Sequence, residues 1–353
     1  MKKLLLLPFL AILFSCVKQE TNKTSAEQLL ERMRKIQEKG YMCGHHDDPF
    51  YGLQWEWDAD RSDILETVGD YPAIMSFDLG GIEMGDEKNL DSVPFARIRE
   101  ELVKHHLKGG IVTISWHPRN PVTGGNAWDT SDSLVVRKIL SEEPHKSKFK
   151  TWITRVGDFL KTLKTEDGTP VPIIFRPWHE GNGSWFWWGY NWCSDEEFLG
   201  LWNTLQDYLN EEGLDNLLWS YSTNLDGSWT EERYMKRYPG NDRIGLIGED
   251  SYQWGTEEDF IKQLTADMEF LQEFSAKNNK TFALTECGYK NIPDSTWWTR
   301  VLKPIMDQYP INYFLMWRNY KEEYFGPDPD QQSADDFKKL YEAENTLFLQ
   351  DLR

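Results

Sequence analysis

Short apolar runs rich in β-forming residues recur along the chain, and each is followed by a polar cluster and then by a stretch with helical periodicity. Eight runs can be counted: YMCGHH from Tyr41, PAIMSFD from Pro72, GIVTISWH from Gly110, PIIFRPWHE from Pro172, LLWSYSTN from Leu217, IGLIGED from Ile244, TFALTECG from Thr281 and NYFLMWRN from Asn312. Helices are predicted over residues 96–107, 152–163, 195–211, 256–274 and 296–309. Eight alternations predict an α/β fold, a single-domain (β/α)8 TIM barrel.

Polar side chains gather at the carboxyl ends of these runs. They are His45, His46, Asp78, His117, His179, Glu180, Asn224, Asp250, Glu286, Trp317 and Arg318. On a barrel these ends share the face that carries the active site. A doubly wound open sheet is the rival fold, but the spaced glycines of its nucleotide-binding turn are absent after the first run.

Two glutamates in this set suit the hydrolysis of a glycosidic bond, which needs a proton donor and a carboxylate facing the anomeric carbon. Glu180 and Glu286 end the fourth and seventh runs, so a closed barrel places them across one pocket. His179 and nearby indoles should desolvate Glu180 and raise its pKa, as a proton donor needs. Arg318 of the eighth run should lie beside Glu286 and keep it ionised as a nucleophile. A separation of about 5–5.5 Å would give retention of configuration.

The composition limits the classes of molecule that this protein is expected to bind. The formal net charge is −19, which disfavours polyanionic partners, and no nucleic acid partner is expected. Aromatic residues make up 14% of the chain, with 17 tryptophans, enough to fill a large core and also to present flat platforms for sugar rings. Cys43, Cys193 and Cys287 are expected to be buried thiols, although one disulfide with a free thiol stays open.

The N-terminus reads MKKLLLLPFLAILFSC, a basic start and a short apolar run before Cys16. We predict a signal peptide over residues 1–15, a lipidated Cys16 with a polar tether over 16–25, and a catalytic domain over 26–353. The run is shorter than the roughly 20 residues of a membrane helix. The prediction is a bacterial cell-envelope protein, lipid-anchored on the periplasmic or cell-surface side; the alternative is an ordinary signal peptide with an incidental cysteine.

Five motifs together resemble glycoside hydrolase family 26. They are WHPRNP from Trp116, RPWHEGNGSWFWWG from Arg176, GEDSY from Gly248, LTECG from Leu284 and MWRN from Met316. The resemblance spans nearly the whole chain after the tether, and it implies a retaining mechanism with Glu180 as acid/base and Glu286 as nucleophile. One departure is that Trp178 and Gly181 flank the His-Glu pair where Leu and Met are common in the family. Both flanks are packing positions. A change there is expected to alter substrate specificity and to leave the catalytic chemistry unchanged.

The resemblance also implies substrate-binding roles for eight further residues. It places His117 and His179 on the sugar-binding floor and Trp185 on the wall beyond the cleavage point. It assigns Tyr252 a hydrogen bond with the nucleophile and Trp128 a stacking role. The residues implied to contact sugars on the non-reducing side are Asp250, Trp317 and Arg318.

By this resemblance the substrate is β-1,4-mannan, including galactomannan, glucomannan and manno-oligosaccharides, and the enzyme is a monomer without cofactor or metal. Endo action and the release of mannobiose from chain ends both stay open. Alternatives are a relative acting on mixed-linkage β-glucan or β-1,3-xylan, and a non-catalytic glycan-binding lipoprotein. A metal-dependent hydrolase would use His45, His46, His117 and Asp78, but adjacent histidines on a strand point to opposite faces.

Overall fold

Eight parallel strands pair in the order in which they follow along the chain, and the last pairs with the first to close a barrel. The computed structural model describes residues 23–353; the predicted signal peptide, Cys16 and most of the tether lie outside the described residues. The strands are β1 Tyr41–His46, β2 Ile74–Asp78, β3 Ile111–Trp116, β4 Ile173–Pro177, β5 Leu217–Thr223, β6 Leu246–Tyr252, β7 Thr281–Gly288 and β8 Tyr313–Met316, and a short β9, Thr346–Leu347, adds to the start of β1. The predicted TIM barrel is confirmed.

Ten α-helices surround or close the barrel within the described part of the chain. They are α1 Ser25–Gln37, α2 Asp63–Val68, α3 Phe95–Leu107, α4 Val135–Ser141, α5 His145–Leu160, α6 Asp195–Glu211, α7 Glu231–Met235, α8 Glu257–Asn278, α9 Lys303–Met306 and α10 Ala334–Tyr341. The prediction of one regular helix over 296–309 is wrong, because a π-helix over Trp298–Leu302 precedes α9. Pro304 lacks the amide hydrogen that a regular helix would need, which accounts for the wider turn before it.

Most of the hydrophobic core lies between the outer faces of the strands and the helices around them. On β4, Ile173 and Phe175 belong to this outer layer, whereas Ile174 belongs to a second cluster inside the barrel. Side chains alternate between the two faces of a strand, so Arg176 shares the inward face with Ile174. A charged side chain is thereby directed into the barrel.

Helix α1 closes the base of the barrel, the end where the strands begin. Thr24 caps it through a reciprocal capping box with Glu27, one residue before the predicted boundary of the tether. Its apolar face, Leu29, Met33 and Ile36, packs against the second cluster, formed by inward residues of every strand. The second cluster also contains Met42, Ala73, Ile74, Ile111, Ile174, Leu218, Leu246, Ala283, Tyr313, Leu315 and Leu347.

Two further points bear on the sequence predictions. Cys43, Cys193 and Cys287 are all buried free thiols, as expected. Within residues 23–353, no helix combines the length with the apolar character that a bilayer crossing demands.

Candidate active site

An open cleft of about 870 Å³ lies at the mouth of the barrel, where the strands end. Eight of the ten residues predicted for the site line it: His117, Trp128, His179, Glu180, Trp185, Tyr252, Glu286 and Trp317. The other two, Asp250 and Arg318, lie near the cleft without lining it. Loops that follow different strands are thus brought together at one face, as the barrel geometry requires.

Glu286 projects from β7 and is held from two sides. The guanidinium of Arg176 donates to its Oε1, and the hydroxyl of Tyr252 donates to its Oε2 over 2.7 Å. Burial raises the pKa of Tyr252, and the charge of Glu286 raises it further, so the phenol stays protonated and remains a donor. Two charge-assisted hydrogen bonds fix this carboxylate in one orientation.

The prediction that Arg318 accompanies Glu286 is wrong. Arg318 lies two residues beyond the end of β8 and pairs with Asp91, its Nε 3.2 Å from the carboxylate Oδ1. The cation beside Glu286 is Arg176, which is 2% exposed and also donates to Asp250 Oδ2 over 2.7 Å. A side chain inside a strand reaches the barrel axis, whereas one in the following loop turns toward the neighbouring loop.

Glu180 is held in a different way. Chain direction changes after β4, and both Trp178 and Glu180 adopt left-handed backbone conformations, with φ of 53° and 51°. Trp178 turns into the outer core, while Glu180 faces the cleft and accepts a hydrogen bond of 2.6 Å from the indole Nε1 of Trp185. Burial, with the nearby charges of Asp250 and Glu286, raises the pKa of Glu180 well above its usual range.

The two glutamates are close to one another. One carboxylate oxygen each from Glu180, Asp250 and Glu286 lie within 4.8 Å of one another. Asp250 is fully buried, accepts a hydrogen bond of 2.6 Å from Thr285, and has its pKa raised to about 7, chiefly by burial. Arg176 therefore pairs with two of these carboxyl groups, Asp250 and Glu286, while Glu180 lies beside them without an ion pair of its own to this guanidinium.

His117 and His179 form the floor beside Glu180. The Nδ1 of His117 is 2.7 Å from Asp78 Oδ2, and its Nε2 is 3.0 Å from the Nε2 of His179. Burial lowers the pKa of His179 well below its usual value, and the neighbouring charge of His117 lowers it further. Trp128 is half-exposed and stacks on His117 with ring centroids 5.5 Å apart. The floor thus presents two imidazole rings and the aromatic face of Trp128 to a sugar ring.

The flanks of the His-Glu pair are packing positions, as predicted. Trp178 is completely buried, and its ring contacts Trp116 with centroids 5.1 Å apart. A Cβ at Gly181 would lie 2.3 Å from a ring carbon of Phe198. Glycine at this position therefore lets the loop approach helix α6 closely.

Several residues of the site were missed from sequence, and Arg176 and Trp254 are the most prominent of them. Arg176 stood inside a quoted motif, and its inward direction could have been inferred from the alternation along β4. Trp254 lines the cleft with 70% of its surface exposed and stacks on Tyr252 with centroids 5.5 Å apart. It lies in the loop after β6, where periodicity carries no signal.

Potential metal ligands of the described residues converge in two places. One is the group of Glu180, Asp250 and Glu286, and the other comprises His46, Asp47 and Asp91. The set of His45, His46, His117 and Asp78 considered from sequence is not assembled. The Nδ1 of His45 is 2.7 Å from Asp48, whereas the Nδ1 of His46 is 2.8 Å from the Ser76 hydroxyl and its ring stacks on Trp317.

Comparison with known proteins agrees with this geometry. The family model "Glycosyl hydrolase family 26" matches residues 17–350. A mannan endo-1,4-β-mannosidase of Bifidobacterium adolescentis is 31% identical over 287 residues, 74% of this chain but 28% of that protein, so the chain spans just over a quarter of its length. The enzyme of the same name from Bacillus subtilis strain 168 is 28% identical over 317 residues, 85% of this chain and 80% of that protein.

Solved structures extend the likeness to the whole barrel. The structure of a family 26 β-mannanase from Bacteroides ovatus is 45% identical, covers 93% of this chain and 95% of that chain, and superposes with a TM-score of 0.90. An endo-β-1,4-mannanase double mutant from Cellulomonas fimi is 28% identical, covers 93% of this chain and 76% of that chain, with a TM-score of 0.84. The chain belongs to glycosyl hydrolase family 26.

Proposed function

We propose that this protein hydrolyses β-1,4-mannosidic linkages by double displacement, with Glu286 as nucleophile and Glu180 as acid/base. The observation that carries the proposal is the close approach of the two carboxylates, since one oxygen of Glu180 lies within 4.8 Å of one oxygen of Glu286. Retaining glycosidases hold their two carboxyl groups about 5–5.5 Å apart, whereas inverting enzymes leave about 6.5–9.5 Å for a water molecule. The short separation supports direct attack on the anomeric carbon.

The surroundings of the two carboxylates support the division of roles. Glu180 is buried next to the carboxylates of Asp250 and Glu286, which raises its pKa and suits a group that must donate a proton near neutral pH. Glu286 accepts hydrogen bonds from Arg176 and Tyr252, which suits a carboxylate that must stay oriented for attack. In the first step Glu286 attacks the anomeric carbon while Glu180 protonates the leaving oxygen. In the second step Glu180 takes a proton from a water molecule. The oxygen of that water attacks the anomeric carbon, and the bond from this carbon to Glu286 breaks.

Mannan as substrate is supported by the names of the relatives. The Bifidobacterium and Bacillus proteins are both mannan endo-1,4-β-mannosidases. Endoglucanase H of Acetivibrio thermocellus is 23% identical over 241 residues and keeps a glucan substrate as the alternative. In the mannan proposal, Trp128, Trp185 and Trp317 supply stacking faces, and the histidine pair of His117 and His179 contacts sugar hydroxyls.

Removal of the proton donor tests the mechanism. Glu180→Ala should lose roughly 10²–10⁴-fold in kcat/KM on manno-oligosaccharides, because a sugar leaving group needs protonation. A dinitrophenyl β-mannoside should lose far less, because its leaving group departs without help. Because deglycosylation then lacks its base, mass spectrometry should detect a mannosyl adduct on the peptide containing Glu286. Equal losses on both substrates, without an adduct, would reject Glu180 as the donor.

The substrate class needs its own measurement. Wild-type protein incubated with mannan, mixed-linkage β-glucan and β-1,3-xylan should release products from mannan fastest. Early products of many lengths would indicate endo action, and mannobiose alone would indicate release from chain ends. Binding to mannan without any product would support the non-catalytic alternative instead.

We further propose that Cys16 carries a lipid anchor on the bacterial envelope. The support is the signal-like segment that ends in Leu13-Phe14-Ser15-Cys16. Cells fed radiolabelled palmitate should label the wild-type protein in the membrane fraction, and Cys16→Ser should release unlabelled protein. Soluble, unlabelled wild-type protein would reject the anchor.

A further inference from the structure

The loop that connects β4 to α6, residues 178–194, carries both Glu180 and Trp185. A left-handed backbone is unfavourable for residues other than glycine, and it persists only where surrounding contacts hold it. Trp178 and Glu180 both adopt it in this loop. Trp185 holds the Glu180 carboxyl from within the loop, so the loop itself needs contacts with the rest of the fold to keep Glu180 in position.

One side of the loop is held by the strand next to it. The amide of Glu180 donates to the carbonyl of Ser222 over 3.0 Å. Asn182 and Asn224 exchange hydrogen bonds, because the Asn182 amide donates to the Asn224 carbonyl and the Asn224 backbone amide donates to Asn182 Oδ1 over 2.9 Å. These contacts fix the loop against β5 and leave its opposite side to be held separately.

The opposite side is held by one guanidinium. Arg237 follows helix α7, is 4% exposed, and directs its guanidinium at the backbone of the loop. The acceptors are the carbonyl oxygens of Gly181 at 2.8 Å, Cys193 at 2.5 Å, Trp188 at 3.4 Å and Tyr190 at 3.4 Å. Its Nε donates to Asp195 Oδ1 over 2.7 Å, in the first turn of α6. The first of these acceptors belongs to the residue directly after Glu180.

Only an arginine suits this arrangement. A planar guanidinium offers five N–H donors in a fixed fork, whereas a lysine offers three donors on one atom. Asp195 balances the charge, so the buried cation is paired. Helix α7 contributes nothing to the cleft lining, and the sequence analysis did not single out Arg237.

We propose that Arg237 is a positioning residue for the acid/base Glu180, acting through the Gly181 carbonyl and the rest of the loop. This inference rests on the proposed function of Glu180. Without the guanidinium, the left-handed turn at Glu180 loses its support on the side of α7, and the carboxyl moves away from the leaving oxygen. The nucleophile on β7 keeps its own partners, Arg176 and Tyr252, and is left in place.

The test compares two leaving groups in Arg237→Met. On manno-oligosaccharides, kcat/KM should fall by up to about 10²-fold, the cost of a displacement near 1 Å. On a dinitrophenyl β-mannobioside, kcat/KM should be nearly unchanged, because its leaving group needs no proton. Azide should raise kcat of the variant on this substrate, since it attacks the anomeric carbon and displaces Glu286 without a general base. The product should be the β-mannobiosyl azide.

Two further variants complete the design. Arg243→Met is the matched control, because Arg243 lies in the same segment but pairs with Asp207 on α6 and not with the loop. It should behave as wild type in every assay. In Arg237→Lys, the difference between the losses of kcat/KM on the two substrates should be smaller than in Arg237→Met. If Arg237→Met does not fold, Arg237→Lys is compared with wild type in its place.

The outcomes are distinguishable. Loss confined to the manno-oligosaccharide, with azide acceleration, supports the proposal. An equal loss on both substrates, or no loss on either, overturns it. A wild-type protein inactive on both substrates would instead reject the proposed function itself.

Discussion

The two ends of the barrel are filled with opposite chemistry. At the base, Leu29, Met33 and Ile36 of helix α1 press onto a cluster of aliphatic side chains inside the barrel. At the mouth, the same inward-facing positions carry Arg176 and Glu286, with Glu180 and Asp250 beside them. Apolar burial at the base stabilises the fold, whereas burial of like charges at the mouth opposes it.

This difference shows how one scaffold separates stability from reactivity. The mouth holds three carboxyl groups close together with one guanidinium that pairs with two of them, an arrangement that raises the pKa of Glu180 and orients Glu286. The base carries no such cluster of charges. Its tight apolar packing stabilises the fold and offsets the free-energy cost of the buried charges at the mouth. Substitutions at the two ends should therefore have effects of different kinds as well as different sizes.

The largest effect is expected from Glu286→Ala at the mouth. Activity on mannan should fall by roughly 10⁴–10⁶-fold, the cost of removing a catalytic nucleophile or its essential partner. Folding should persist, because Arg176 keeps its contacts with Asp250 and Ser222. Azide should restore part of the rate and yield a mannosyl azide of inverted configuration. Near wild-type activity without azide would contradict the nucleophile assignment.

The next effect is expected from Arg176→Met, which should cost about 3–5 kcal/mol of unfolding free energy together with activity. Burial already raises the pKa of Asp250 to about 7, above its unfolded value, so its contribution to stability falls as pH rises from about 4. Loss of the guanidinium raises this pKa further and widens that window. Urea unfolding should therefore show a larger deficit at pH 8 than at pH 5.

An arginine on the surface, Arg233, provides the control for the urea unfolding of Arg176→Met. Arg233 pairs with Asp226 at 3.2 Å while about half-exposed, and exposed pairs contribute about 0–1 kcal/mol. Arg233→Met should change unfolding little at either pH. A deficit of Arg176→Met that is no larger than this would contradict the contrast between buried and exposed charge.

A smaller effect is expected at the base from Met33→Ala. Met33 is fully buried under the barrel, and its truncation should cost about 2–3 kcal/mol, the lower part of the range for buried Met. Its kcat and KM should stay at wild-type values, because the base has no contact with the cleft. Met235, which is 45% exposed, is the matched control, and Met235→Ala should leave unfolding nearly unchanged. A change in kcat on truncation of Met33 would show that the two ends are coupled.

The smallest effect is expected from Trp185→Phe, which removes the indole donor to Glu180 but keeps an aromatic face. A hydrogen bond to the ionised carboxylate lowers its pKa, so the loss of this donor raises the pKa of Glu180 further. The acid then stays protonated to higher pH, and the alkaline limb of kcat/KM should move upward. Trp254→Phe, in the same cleft but without a hydrogen bond to either glutamate in the described structure, should leave the limb in place.

The fold was readable from sequence where strand signals are local. The strands β1 and β7 begin and end where their apolar runs do. Helix α1 was not predicted, although Leu29, Met33 and Ile36 are spaced on one helical face. Its role depends on the barrel base that it covers, which only the closed barrel creates.

The structure brings eight of the ten predicted residues to the cleft, whereas the predicted pairing of Glu286 with Arg318 is wrong. Strand ends placed Glu180 and Glu286 at the same mouth, since the barrel fixes that face. The partner of Glu286 depends on which side chains point toward the barrel axis. This is why the observed partner is Arg176 and not Arg318, the residue predicted from sequence. The contacts of Arg237 could not be predicted from sequence either. Its acceptors are backbone carbonyl oxygens, which every residue carries, so they produce no sequence pattern.

Helix α1 has a consequence for how the enzyme can be attached to other objects. Lys23, the first residue that the structure describes, lies next to the start of this helix, at the closed end of the barrel and opposite the cleft. A bead, a fused domain or a cell surface coupled there leaves the approach of a long polymer unobstructed. Coupling through the exposed lysines of α5, which are Lys146, Lys148 and Lys150, would tether the flank of the barrel instead of its closed end. N-terminal immobilisation is therefore the orientation in which access of insoluble polysaccharide is retained.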